Sequence, residues 1–421
     1  MSLARPLMLM EACILARILM IIGAGVEQIP AYIAAKRRGL IVVGTDSNPN
    51  APGFSYADYK ILASTRDANA TEIESKKFNE IHPISGVMTI ANDVPYTVAR
   101  VAKALGLPSI SLDAAVCVTD KKLMKEKFLK NEVACPWFAE VSSLKDLCGY
   151  VSVESSKIFV LKPVDGRGAR GVLLIDSNTN LAWAYSESKR WGDCGRLILE
   201  EFIPGLQLST ESFISQGICY TAAIAERNYS RLEQFSPNII EDGGTIPALI
   251  EAELKVKIDE LVLKGARALG IHEGIVKGDI VIDNEGKPLI IELAARLSGG
   301  WFATHQIPAA TGIDLVEAVI TYSLGDEVNP QSLMPTRNNA TAIRYWFPPQ
   351  GRVQSINGEL DLQDTPGLLS YGFFRDVGDL QPEIKMHSDR FGYVIVTGEN
   401  REEAIANVNI ALASINIEVM P

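Results

Sequence analysis

Two acidic residues in a short antiparallel pattern carry the most specific chemistry in this chain. The stretch Gly278-Asp279-Ile280-Val281-Ile282-Asp283-Asn284-Glu285-Gly286-Lys287-Pro288-Leu289-Ile290-Ile291-Glu292 reads as two strands joined at Glu285-Gly286. With those two as the loop, position 284 pairs with 287, and counting outward sets Asp279 directly across from Glu292. Like charges opposed on a sheet repel unless a cation lies between them, and carboxylate oxygens suit a hard ion such as Mg2+. On this count Asp279 alternates with Val281, and Glu292 with Ile290 and Ala294, so the face is apolar apart from its acids. The competing reading is a solvent-facing pair spread by water. Arg296 follows shortly after Glu292 and its planar fork matches carboxylate or phosphate. Taken alone, it also reads as an ordinary surface residue.

Lys162 closes the apolar strand Ile158-Phe159-Val160-Leu161, where an unpaired ammonium would be costly to bury and needs an anion. The next residues, Pro163 to Val172, contain Gly166, Gly168 and Gly171 with two arginines. Such a loop can lay backbone N–H groups on phosphate oxygens, although glycine is also common in plain turns. Leu197 to Gly205 is an apolar run interrupted by Glu200 and Glu201 that stops at a turn. Its walls suit an adenine ring, with backbone groups at the strand end for the ring edge.

These residues need a large, ordered frame. The chain has 421 residues, enough for two or three domains, with 47% hydrophobic and 22% charged content, which excludes disorder and collagen-like or coiled-coil architectures. Its formal charge of −11, from 40 basic and 51 acidic residues, argues against a nucleic-acid partner. Six scattered cysteines without C-x-x-C pairs, and four histidines without H-E-x-x-H spacing, argue against disulfide scaffolds and zinc. The apolar stretches of Met1 to Met20 are interrupted by Arg5, Glu11 and Arg17, so an extended start is expected rather than a signal peptide. No apolar run reaches the roughly 18 residues of a membrane span. A cytoplasmic, reducing setting follows as the expectation.

Arg17 to Ile22, a helix through Lys36 to Arg38, and Leu40 to Val43 make a βαβ opening, continued by a strand at Pro83 to Ala91, a helix at Val94 to Leu105 and a short strand at Pro108 to Ile110. Gly23-Ala24-Gly25 lacks the third glycine of a dinucleotide fingerprint, that position being Gln28, and reads as a tight turn. A helix capped at Thr119-Asp120 runs to about Asn131. Strands with few helices then follow, at 158–163, 173–176, 197–202, 209–215 and 218–225, before a helix at 251–269 and the acidic hairpin. A last region of short strands ends in an amphipathic helix, Glu402 to Ser414.

In this order the motifs resemble the ATP-grasp superfamily, which includes biotin carboxylase, the carbamoyl-phosphate synthetase large chain, purine-pathway ligases and L-amino-acid ligases. The resemblance implies an α/β and α+β architecture: a Rossmann-like domain at 1–114, an ATP-grasp domain at 115–325, and a C-terminal subdomain at 326–421. Within the middle domain it implies a small lobe at about 120–196, a hinge at 197–205 and a large lobe at 206–325. It implies Lys121 and Lys162 as ATP lysines, Gly166, Gly168 and Gly171 in the loop that closes on triphosphate, and Glu200, Glu201, Phe202 and Ile203 around adenine. In that hinge Glu200 would face the amino group, and the backbone of Glu201 and Ile203 would read the ring edge. Gln207 falls at the ribose position, Asp279 and Glu292 at the Mg2+ carboxylates, where Mn2+ could substitute, and Arg296 at the acyl-phosphate arginine. One departure stands out: the usual Glu-x-Asn reads Glu292-Leu293-Ala294, so one ligand to a second metal is missing.

The implied activity is ATP-dependent joining of a small-molecule carboxylate and an amine through an acyl phosphate, catalysed by Arg296 and Lys162, in a family-typical homodimer. Arg296 to Phe302 with Thr311-Gly312-Ile313-Asp314 looks most like amino-acid ligases and carbamoyl-phosphate-type enzymes, which points to amino-acid-like substrates. Arg227, Tyr229, Glu241, Gly243, Gly244 and His305 are candidates for the pocket wall, His305 also reading as a structural histidine. Activation of bicarbonate or a ribonucleotide is the alternative activity, and a non-catalytic ATP sensor the third.

Overall fold

The computed structural model describes residues 16–154 and 156–421, so the expected extended start before residue 16 lies outside the described residues. Strands β1 (Ile18–Ile22), β2 (Ile41–Asp46), β3 (Tyr59–Leu62) and β4 (Ile84–Met88) form a parallel sheet in the order β3-β2-β1-β4. β1 is buried along its whole length, as a parallel strand covered on both faces requires. The helix Pro95–Leu105 stops at Gly106, whose φ of 68° is the left-handed cap that glycine adopts without a Cβ penalty. Gln28 closes the Gly23-Ala24-Gly25 turn itself. Its side chain accepts from Gly25 N–H at 2.9 Å and donates to Ile90 O at 2.8 Å. Pro108 to Ile110 is not a strand. It is a short lead into the helix Leu112–Thr119, whose cap Ser111 accepts from Ala114 N–H.

The second sheet is small and antiparallel: β5 (Phe138–Val141), β6 (Phe159–Pro163), β7 (Leu173–Ile175) and β8 (Leu197–Glu201), in the order β5-β8-β6-β7. Two helices, Leu144–Val153 and Leu181–Lys189, lie in its connections, so this region holds more helix than its strand-rich pattern suggests. They bury the face made by Phe159, Leu161, Leu197 and Leu199. β8 belongs to this sheet, and only residues 202–205 bridge to the next strand.

The third and largest sheet takes its strands from most of the remaining chain. Its members come from β9 (Leu206–Ser215), β10 (Ile218–Asn228), β11 (Gly243–Ile246), β12 (Gly274–Ile282), β13 (Pro288–Ala294) and β14 (Ala340–Trp346). After β15 (Gly351–Asn357) come β16 (Leu368–Phe373), β17 (Leu380–Gln381), β18 (Gly392–Gly398) and β19 (Asn416–Met420). The eight-stranded order is β13-β12-β9-β10-β11-β14-β18-β16, so the C-terminal region extends the same sheet. β17, β15 and β19 form a small separate sheet. The chain therefore ends in a strand, not in the helix Arg401–Ser414, because β15 offers a free edge that Asn416–Met420 pairs. The helix Ala252–Ala268 covers one face of β12 and β13, packing Ile258, Val262 and Ala266 with Ile280, Ile290 and Leu293. The opposite face of those strands is where the polar residues gather.

Candidate active site

A cavity of about 810 Å3 lies between the small and large sheets, with residues of the N-terminal and C-terminal regions on its wall. Its floor includes Lys277, Asp279, Val281, Ile291, Glu292 and Ala294. Asp279 pairs directly with Glu292, as the count from the turn requires, but by a different route. The turn is longer: Asp283 N–H donates to Lys287 O at 3.0 Å, and Gly286 takes a φ of 78°. The Asp283 carboxylate anchors this loop by accepting from the N–H groups of Glu285 and Lys287, each at 2.9 Å. That slips Ile280 onto Ile290, and a bulge between Asp279 and Ile280 returns the register. Ile291 is the extra residue and faces the cavity, whereas Ile290, expected on the acid face, packs in the core.

The acid face is also less apolar than expected, because Lys277 stands on it two positions before Asp279. Its ammonium pairs with Asp279 Oδ2. Asp279 Oδ1 accepts from Arg227 at 2.8 Å and from Ser209 Oγ at 3.1 Å. Burial opposes ionisation of Asp279, but Lys277 and Arg227 outweigh it and hold the carboxyl well below the usual range. Glu292 lies 3.3 Å from Lys121 Nζ, which also donates to Gly166 O at 2.7 Å. Lys121 thus ties the glycine loop to the acid face. Its helix, Lys121–Lys130, starts where the Asp120 side chain accepts from Leu123 N–H.

Lys162 and Glu200 meet at 2.9 Å on neighbouring strands of the small sheet, and fully buried Lys125 approaches the same carboxylate at 3.5 Å. Burial works against charge on Glu200, yet Lys125 and then Lys162 hold it below the ordinary carboxylate range. Its oxygens therefore lie beside two ammonium groups, while Glu200 also lines the cavity. Glu201 N–H is also committed, donating to Trp137 O at 2.9 Å, and Phe202 N–H donates to Ile158 O at 2.9 Å. Glu201 lines the cavity as well. Phe202, Ile203 and Gln207 line the cavity with them, as do Gly166 and Gly168, whereas Gly171 stands behind the loop against Ser188 and Trp191.

Arg296 lines the cavity and is buried against Asp93 of the N-terminal region, 2.7 Å from its Nε. Burial lowers and Asp93 raises the stability of its charge, and the ion pair wins. Arg227, Tyr229, Glu241 and Gly244 line the wall as expected from sequence. His305 and Gly243 do not. His305 meets Thr304 Oγ1 at 2.9 Å, and Gly243 faces β14, where a Cβ would come 2.2 Å from Ile343 O.

Several residues of the site had no local motif to mark them. Glu27, beside the glycine turn, accepts from Gly300 N–H at 2.5 Å, and burial raises its carboxyl against the pull of Arg296 and Arg390. Arg390 donates to Glu241 O at 2.6 Å and stacks 3.8 Å over the Tyr345 ring. His387 N–H reaches Gly168 O at 3.4 Å, joining the C-terminal region to the glycine loop. Burial, with Arg390 and Arg227, pushes its imidazole well below the usual value and keeps it neutral. Of the missed residues only Lys277 and Lys125 had a sequence signal: Lys277 shares the two-residue period of Asp279, and Lys125 the helical period of Lys121.

Two antiparallel sheets enclosing a cavity lined by lysines, a glycine loop and opposed acids are the ATP-grasp fold, in a mixed α/β architecture with further domains at both ends. Residues 118–300 match the ATP-grasp domain family, and residues 344–420 match the L-amino acid ligase C-terminal domain 2. The chain thus has the fold of the ATP-grasp carboxylate–amine ligases, an architecture that implies ATP-dependent ligase chemistry. The uncharacterized protein y4rH of Sinorhizobium fredii is 23% identical over 365 residues, 85% of this chain and 73% of that one. The alanine–anticapsin ligase of Bacillus subtilis is 25% identical over 321 residues, 69% of this chain and 65% of that one. The crystal structure of an L-amino acid ligase from Bacillus licheniformis superposes with a TM-score of 0.81 at 21% identity, covering 96% of this chain and 99% of that one. In the described residues no helix is long and apolar enough to cross a membrane.

Proposed function

We propose that this protein joins a carboxylate to an amine at the expense of ATP, through an acyl phosphate, and that the carboxylate belongs to an amino acid. The single observation that carries the substrate reading is that the terminal regions place an acidic and a basic side chain on the wall of one cavity. Glu27 brings a carboxyl group and Arg390 a guanidinium to that wall. A zwitterion presents the complementary pair. Arg390 also falls in the segment that matches the amino-acid ligase domain.

In this reading adenine lies against Phe202 and Ile203, with Gln207 toward the ribose. Lys121, Lys162 and the loop at Gly166 and Gly168 hold the phosphates. Among the described residues there is no cluster of three metal-binding side chains, but Asp279 and Glu292 face each other on the cavity floor and are hard oxygen donors. They fit one Mg2+, or Mn2+, completed by water and phosphate oxygens. When bound, that ion would neutralise charge on the transferring phosphoryl group.

Lys162, positioned by Glu200, lies over the triphosphate as the substrate carboxylate takes the γ-phosphoryl group. Arg296, held by Asp93, then donates to the oxyanion of the acyl phosphate while the amine displaces phosphate. The substrate carboxylate is already ionised near neutral pH, so this step needs no base. The test is release of ADP and phosphate by the purified protein with ATP, Mg2+ and pairs of amino acids. Turnover with bicarbonate or an aminoribonucleotide but not with amino acids would transfer the reading to the alternative activity. ATP binding without turnover on any substrate would leave the sensor reading.

A further inference from the structure

The geometry points to Lys277 as a built-in cation that stands in for a second metal ion, so that one divalent ion serves the nucleotide. This rests on the nucleotide and metal reading above. Two ranks of side chains cross strands β9, β12 and β13 on the cavity face. In one rank Ser209, Asp279 and Glu292 stand in register, and in the next Glu211, Lys277 and Ala294. The first rank supplies the oxygens. The second has an ammonium at its centre and, opposite it, a methyl group in place of a ligand.

A divalent ion of this kind takes six ligands, and a second ion about 4 Å from the first would have to share the oxygens of Asp279 and Glu292 with it. Among the described residues no third metal-binding side chain joins the pair. Lys277 pairs with Asp279 Oδ2 and its side chain is only 15% exposed, so the charge is held in the site rather than shared with solvent. An ammonium fixed there repels a second dication that would use the same carboxylate, and supplies one positive charge toward the phosphates. Ala294 is small enough to leave this space to the lysine. Lys277 acts as a positioning residue, through Asp279 and the number of ions that Asp279 can hold.

The experiment counts bound Mn2+ by electron paramagnetic resonance on the full chain with excess adenylyl imidodiphosphate. The wild-type chain should hold one Mn2+ per nucleotide. Ala294→Asn alone, which restores an amide but keeps Lys277, should still hold one, and Lys277→Ala with Ala294→Asn should hold two. Two ions in the wild type or in Ala294→Asn would overturn the inference while leaving the nucleotide reading intact, and so would one ion in a folded double variant. No nucleotide-dependent Mn2+ in any form would overturn the metal reading, and this inference with it. If the double variant does not fold, the wild-type and Ala294→Asn counts decide the matter.

Discussion

Glu200 is the shared counter-ion of Lys162, at 2.9 Å, and Lys125, at 3.5 Å. This links the small sheet to the helix that follows the N-terminal region. It makes one buried carboxylate responsible for the position of an ammonium that faces the cavity. The arrangement is a buried triad, so its members depend on one another far more than exposed ion pairs do.

Glu200→Ala should therefore be costly. It strands two ammonium groups in the interior, and removal of one member of a buried pair costs about 3–5 kcal/mol. Urea denaturation should show that loss, and Lys125→Met made in the same background should recover part of it. Equal instability of the single and double variants would show that the triad is not coupled.

The two acids of the floor should separate activity from stability. Asp279→Asn and Glu292→Gln should each lower phosphate release by about 100-fold or more, equivalent to roughly 3 kcal/mol of charge stabilisation. Only Asp279→Asn should also destabilise the fold, because Asp279 neutralises Lys277 and Arg227 and is 16% exposed, whereas Glu292 is 30% exposed. Denaturation curves beside the kinetics check both parts.

Glu211 should leave a mark on the pH dependence of stability. It is fully buried, and although Ser298 N–H and Oγ donate to it, burial pushes its carboxyl up to about 7. Its folded value lies above the unfolded one near 4.5, so its favourable contribution is present below pH 4.5 and lost as pH rises through 7. The difference is about 3 kcal/mol at 1.36 kcal/mol per pH unit. Glu211→Gln removes this term. The stability of the wild type minus that of Glu211→Gln should fall between pH 4.5 and 7 and level off above. A flat difference would mean that Glu211 stays ionised throughout.

Arg390→Met should act on substrate rather than on nucleotide. Loss of a hydrogen bond to a charged group costs about 1.5–3 kcal/mol, or roughly ten- to hundredfold in kcat/KM for the acid. The KM for ATP should move little, since Arg390 lies toward the C-terminal wall with Glu241 and Tyr345. An equal rise in both KM values would indicate a general loss of cavity shape.

Much of the frame was legible in the chain because its signals are local. The apolar run of β1, the Asp120 cap and Gly106 each announce an element within a few residues. Less local features were not. The Asp279–Glu292 pair was found from a turn of the wrong length, and it holds because a bulge at Ile291 absorbs the extra residue. Bulges answer to strand packing on both faces, which a count from one turn does not contain.

The sequence by itself determined which residue types lie two apart on a strand or beside a glycine turn, and hence the lysines, the glycine loop and the acids. Only the tertiary structure decided their partners. Asp93 comes to Arg296, Glu27 to Gly300, and His387 to the loop at Gly168, each from a distant part of the chain. The physical reason is that a buried charge must be neutralised by whichever group the packing of sheets and helices brings within reach. That choice depends on the fold as a whole and leaves no periodic trace along the chain.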